Sequence, residues 1–174
     1  MIFTRLILFI CFSFLAYPID AEQIAKEALS DYLNRLRTLE ANFTQISGDS
    51  NLSTGALYIK RPGRVRFEYD EPNNALVLAA GGQLAIFDPQ GNSEPEIYPL
   101  ARTPLSLILA DSINLAKDRM VVGHEYDGTS TILTVQDPDF PERGTIRLVF
   151  TGPEPQLRQW LIHDQNGEKT VIVL

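Results

Sequence analysis

Two histidines, His124 and His163, are the side chains best suited by type to acid–base work or metal ligation near neutral pH. Each sits inside a stretch of alternating apolar and polar residues, far from the other, so each reads as a strand residue rather than half of a ligand pair. Zinc asks for clustered cysteine and histidine donors, and the one cysteine, Cys11, lies in an apolar N-terminal run. The stretch "DPDFPE" has carboxylates for calcium but neither the glycine nor the ligand spacing of an EF-hand loop. It reads as a proline-stiffened turn, as does Asp88-Pro89. The 22 acidic residues could contain a catalytic pair, and nothing in their spacing marks two of them. No G-x-S-x-G, P-loop or G-x-G-x-x-G occurs, and Gly81-Gly82 has the form of a hairpin turn. The chemistry that remains is binding, with no catalysis, no cofactor and no metal.

Arg61 raises the sharper question. In "GALYIKRPGRVRFEYDEP" the alternation is that of a β-hairpin turning at Pro62-Gly63, with Leu57 and Ile59 on one face of the first strand. Val65, Phe67 and Tyr69 share one face of the second. Arg61 is in phase with Leu57 and Ile59, because side chains two residues apart point the same way. An arginine at the end of an apolar row either escapes past the turn to solvent or reaches inward toward a partner.

The elements around this hairpin are mostly strands. Residues 22–39 carry Ile24, Ala28, Tyr32, Leu36 and Leu39 at helical spacing, widened by Leu29 and Leu33, and predict an amphipathic helix. The period then changes to two. Strands are predicted at 41–48, 54–61, 64–70, 75–80, 83–88, 94–99, 119–126, 129–136, 145–150, 156–163 and 168–174, mostly joined by short turns. The gap at 101–119 is different: Thr103-Pro104 starts a short apolar helix through Leu105, Leu107, Ile108 and Leu109. Asp111 or Ser112 could cap a second one through Lys117. The expected class is α+β: one large curved antiparallel sheet or open barrel. Its strands at 75–80, 83–88 and 129–136 carry large apolar residues on both phases. That surplus fits a well-filled core, or a sheet holding an apolar cavity with the helices as its lid.

The N-terminus addresses the compartment. Arg5, the run "LILFICFSFLAY" and the small residue Ala21 form the pattern of an export signal at 1–21. The run is shorter than the ~20 residues of a spanning helix, and Ile10 before Cys11 does not fit a lipidation site. Residues 22–174 would then be one exported, cysteine-free domain, stabilised by burial alone. The net charge is −7, which argues against nucleic acid and anionic membrane surfaces as partners, since both attract clustered Lys and Arg.

From about Ala25 to Leu174 the residues resemble the LolA family, the periplasmic carriers of outer-membrane lipoproteins. The similarity lies in "LEANFTQ", in Gly55, Leu57, Ile59, Lys60, Arg61 and Pro62 followed by Phe67 and Pro72, in Thr103-Pro104, and in the run from Trp160 to Thr170. The resemblance implies an incomplete antiparallel β-barrel of about eleven strands with a helical lid over a hydrophobic cavity. It implies a cavity wall of Phe43, Leu57, Ile59, Val65, Phe67, Tyr69, Leu76 and Leu78, a lid of Leu105, Leu107, Ile108 and Leu109, and Arg61 as a latch on the closed lid. It implies a periplasmic monomer that takes acylated lipoproteins from an inner-membrane ABC-type release complex. Delivery would be to an outer-membrane receptor or the membrane itself. Another acylated ligand or a glycolipid is the alternative cargo, and an enzyme on the same fold a more distant one. The family also has a segment beyond the strand ending here at Leu174. Without such cover "KTVIVL" is expected to be a sticky exposed edge.

Overall fold

The computed structural model describes residues 22–48, 51–89, 91, 94–103, 105–164 and 166–174. The export-signal reading of 1–21, with Ile10 and Cys11, lies outside the described residues, as does Pro104 at the expected helix start.

Among the described residues, eleven strands form one antiparallel sheet. They are β1 (Thr38–Ile46), β2 (Leu52–Lys60), β3 (Arg64–Tyr69), β4 (Leu76–Ala80), β5 (Gln83–Phe87) and β6 (Glu96–Pro99), then β7 (Val121–Tyr126), β8 (Ser130–Gln136), β9 (Gly144–Thr151), β10 (Gln156–Asp164) and β11 (Lys169–Val173). Their spatial order is β6-β5-β4-β3-β2-β1-β11-β10-β9-β8-β7. Two meanders therefore run outward from a seam where β1 pairs with β11. The seam corrects one expectation: the "KTVIVL" strand is no edge, being paired on one side with β1 and on the other with β10. The true edges are β6 and β7, which follow each other in sequence. The segment between them, residues 100–120, has to run from one edge of the sheet to the other.

The sheet is strongly curled. Phe67 on β3 and Trp160 on β10 are four strand steps apart, which in a flat sheet is about 19 Å. Their ring centroids lie 5.7 Å apart, edge to face. Curling by this much makes one face concave, and the core fills it: Leu57, Ile59, Leu133, Leu148, Phe150 and Trp160 are all buried.

One helix, α1 (Lys26–Arg35), lies against that core through Leu29 and Leu33, with Ser30 buried beside them. It is shorter than the apolar spacing predicts, at both ends. The preceding residues are tied down in extended form, with the Ile24 amide donating to Thr131 Oγ1 at 2.8 Å and the Ile24 carbonyl 2.9 Å from His124 Nε2. At the other end Thr38 and Leu39 pair with Lys60 and Ile59 in the sheet. Cross-strand pairing outweighs a weak local helical preference there. The 100–120 segment opens with a 3₁₀ turn at Leu100–Arg102, continues into α2 (Leu105–Leu109) and returns to β7. The second helix expected through Lys117 is instead a turn, closed by the Lys117 and Asp118 amides on the Asn114 carbonyl.

Candidate functional site

The concave face begins at the hairpin β2–β3. Its register sets Ile59 opposite Val65, Leu57 opposite Phe67, and Gly55 opposite Tyr69. On the other side of β2, Gly55 faces Phe43. A Cβ at Gly55 would stand 2.8 Å from Phe43 Cε1 and 2.1 Å from the Glu68 carbonyl oxygen, so only glycine lets the strands and the Phe43 ring approach this closely. Phe43 then meets Phe67 at 5.4 Å and Tyr69 at 5.0 Å, both edge to face, the arrangement aromatic quadrupoles favour.

Leu76 and Leu78 do not join this wall, contrary to expectation. Phe67 is opposite Val77 and Val65 opposite Ala79, so Val77 and Ala79 point inward. Leu76 and Leu78 stand opposite Glu68 and Arg66, on the outer face. The face was set by the register after the Asp70–Ala75 turn, where the Tyr69 amide donates to the Ala75 carbonyl.

The inward row divides into two regions. Phe43, Leu57, Ile59 and Val65 lie in sealed core. Phe67 and Tyr69, with Val77, Leu105, Trp160 and Ile172, line an open cavity of about 270 Å³. Polar residues from four parts of the chain interrupt its greasy wall: Gln45, Thr103, Arg143 and His163. The Tyr69 hydroxyl donates to Gln45 Oε1 at 2.6 Å. Burial holds its ionisation up at about 12, because a phenolate there would lose its water. Trp160 Nε1 is buried with no hydrogen-bond partner among the described residues. Of the lining residues, Gln45, Thr103, Trp160 and His163 lie in stretches that carry the sequence resemblance, whereas Arg143 and Thr145 lie in none of them and reach the cavity through the curl of the sheet.

The segment over the concave face is fastened by polar bonds. Leu105, Leu107, Ile108 and Leu109 are all buried, and Leu105 forms part of the cavity wall. Arg61 is turned inward and only 6% exposed. Its guanidinium donates to carbonyls at the C-terminal end of α1, Leu33 and Leu36, and just past α2, Ala110 and Asp111. Helix C-terminal carbonyls have no partner within the helix, and a planar group with five donors can span several of them. Desolvation lowers the pKa of Arg61, neighbouring Arg37 lowers it further, and Asp111 opposes both. Around it the Gly63 amide donates to the Leu109 carbonyl at 2.8 Å, and Arg37 pairs with Asp111 at 2.9 Å. The Asn34 side chain exchanges two hydrogen bonds with the backbone of Ile113, and Ser30 Oγ accepts from the Leu115 amide at 3.0 Å.

The histidines are kept apart: His124 is on β7, bonded to the N-terminal backbone, and His163 is on β10 at the cavity wall. Among the described residues no group of three His, Cys, Asp or Glu side chains could hold a metal ion, and no helix is long and apolar enough to cross a membrane.

A family model described as "Outer membrane lipoprotein carrier protein LolA" matches residues 34–174. An outer-membrane lipoprotein carrier protein of Nitrosomonas europaea is 30% identical over 90 residues, which are 49% of this chain and 44% of that protein. One of the same name from Pseudomonas paraeruginosa is 26% identical over 162 residues, 87% of this chain and 76% of the relative. A LolA superfamily protein of Nitrosomonas europaea of known structure aligns with a TM-score of 0.42 at 14% identity, covering 86% of this chain and 91% of that one. The match to the first of these relatives thus spans less than half of the relative's length.

Proposed function

This chain belongs to the LolA family of outer membrane lipoprotein carrier proteins, and from that premise we propose that it carries the acyl chains of lipoproteins across the periplasm. Residues 1–21 direct export and residues 22–174 form the carrier, a monomer. Cargo arrives from an ABC-type release complex in the inner membrane and leaves to an outer-membrane receptor or to the outer membrane itself. The reading needs no cofactor, no nucleic acid and no bond-breaking chemistry.

One observation carries this reading. An apolar cavity lies beneath a segment that bridges the two open edges of the sheet and is held at its middle, around Ala110, by hydrogen bonds. Each acyl methylene moved out of water is worth about 0.8 kcal/mol, so several fatty chains cannot cross an aqueous space unaided. The cavity of about 270 Å³ falls just below the ~300–1,000 Å³ typical of sites for small ligands, too little for several chains. Loading therefore requires the 100–120 segment to move off the concave face. Leu105, Leu107, Ile108 and Leu109 occupy that face when the segment is down, so they compete with cargo for it. Cargo binds with the difference between two burials rather than with the whole of one, which keeps release possible.

The test is competition. A fluorescent apolar probe should bind one to one and be displaced by an acylated lipopeptide but not by the same peptide without its acyl chains. Equal displacement by both would sink the proposal.

A further inference from the structure

The apolar cavity does not end in plain solvent. Leu84, Thr103 and Arg143 line it and also line a neighbouring groove of about 640 Å³, so the two spaces meet at those residues. The groove adds Arg102. The two arginines come from distant parts of the chain: Arg102 ends the 3₁₀ turn that opens the bridging segment, and Arg143 immediately precedes β9. Both guanidinium groups stand over the ring of Phe140, Arg143 at 3.9 Å and Arg102 at 5.8 Å from its centroid. Arg143 is steadied by Asp137 at 3.7 Å. Arg102 makes no ion pair among the described residues. The acid on the groove wall is Asp164, and its Oδ1 already accepts the Asn166 and Glu168 amides at 2.8 Å each. At the rim, Tyr98 donates to Glu96 at 2.6 Å.

A chain of net charge −7 thus places two arginines where its apolar cavity opens. We propose that this mouth is an anion subsite, at which Arg102 and Arg143 hold the carboxylate or phosphate head of a single-chain amphiphile whose tail lies in the cavity against Phe67 and Trp160. Guanidinium forks match carboxylate and phosphate oxygens, and a neutral ester head offers them no counter-charge. A cavity this small suits one tail. The inference rests on the reading that the cavity takes acyl chains, and it adds a ligand class, anionic single-chain lipids, to that reading.

Trp160 is the only tryptophan of the chain and lines the cavity, so its emission reports occupancy directly. The chain exported and freed of its signal is titrated with four twelve-carbon ligands below their micelle concentrations: dodecyl phosphate, laurate, dodecyl maltoside and dodecyltrimethylammonium. The expected result is that one or both anions bind roughly tenfold to hundredfold tighter than the maltoside at low salt, the reach of charge-assisted hydrogen bonds. The cationic ligand should be weakest, and high salt should narrow the spread. Preference for laurate alone assigns a fatty-acid carboxylate, and preference for dodecyl phosphate alone a phosphorylated lipid. Arg102→Gln, a change at an exposed position, should bring the anions to within a few-fold of the maltoside, and Arg143→Gln should act in the same direction. Equal binding of all four ligands overturns the anion subsite and leaves the carrier reading intact. So does an anion preference that survives Arg102→Gln. Absence of binding by any of the four, the maltoside included, overturns both.

Discussion

Arg61 Nε donates to the carbonyl of Ala110 at 2.9 Å, joining the end of β2 to the end of α2 across 49 residues of sequence. The same guanidinium holds the carbonyls of Leu33 on α1 and of Leu36, its C-cap, so one side chain ties the sheet, the helix and the bridging segment together. A hydrogen bond from a charged donor contributes about 1.5–3 kcal/mol. Arg61→Leu is expected to shift the segment toward its open position by roughly tenfold to a hundredfold. With loading and transfer measured separately, the variant should still accept acylated protein yet transfer it poorly, because closure no longer helps to expel the chains. Arg61→Lys should fail in the same way, since an ammonium cannot span these carbonyls. Arg64→Ala and Arg66→Ala, at exposed positions, should transfer normally. Normal transfer by Arg61→Leu would exclude the latch.

Asn34 offers a second handle on the same motion. Its amide both donates to and accepts from the backbone of Ile113, at 2.8 and 2.9 Å. Asn34→Ala leaves two part-buried backbone groups without partners, at a cost of about 1–3 kcal/mol each if they stay dry. Amide exchange at Ile113 and Leu115 should accelerate well beyond any change in β8 or β9. Uniform acceleration across the sheet would mean that the segment opens only by global unfolding.

Gly55 and Gly63 lie in one hairpin and predict opposite sensitivities. A Cβ at Gly55 collides with backbone at Glu68 and with the Phe43 ring, whereas at Gly63, with φ of +68°, it meets nothing within 4 Å. Gly55→Ala should therefore lower the thermal midpoint by several degrees through strand displacement, a cost of about 1–3 kcal/mol. Gly63→Ala should cost only the backbone term, about 1 kcal/mol. Equal losses at the two sites would refute the packing account.

Tyr69 gives the protein a weakness toward alkali. Its hydroxyl ionises near 10 when unfolded and at about 12 when folded. The folded state therefore keeps the proton longer, and the stability this provides is whole below pH about 10 and lost as pH rises through about 12. The term is of the order of 2 kcal/mol. Urea midpoints at pH 8 and pH 11 should diverge less for Tyr69→Phe than for the parent chain. The variant should also be weaker at pH 8 by about 1 kcal/mol, the bond to Gln45 being gone.

The strands were legible from the chain itself because their signal is local. Alternation at period two locates all eleven, and turn residues such as Pro62-Gly63 and Gly81-Gly82 separate them, since the pleat and the turn are set by neighbours a few residues away. The same alternation groups Leu57, Ile59 and Arg61 on one face of β2, and Val65, Phe67 and Tyr69 on one face of β3, and the pairing makes these the same, inward face of the sheet. What alternation cannot give is which face is buried once a turn of uncertain length intervenes, so Leu76 and Leu78 looked inward while the pairing of Phe67 with Val77 turned them out. Nor can it close the sheet. Pairing of β1 with β11 converts the last strand from an edge to the centre and leaves β6 and β7 as the open rims, while pairing of β1 with β2 takes Thr38 and Leu39 from the helix. The direction of Arg61 was undecided in the sequence because its carbonyl partners lie 25 to 50 residues away along the chain. Gln45, Thr103, Arg143 and His163 share a cavity for the same reason. Curvature accumulates over many strands, and it is curvature that brings the walls together.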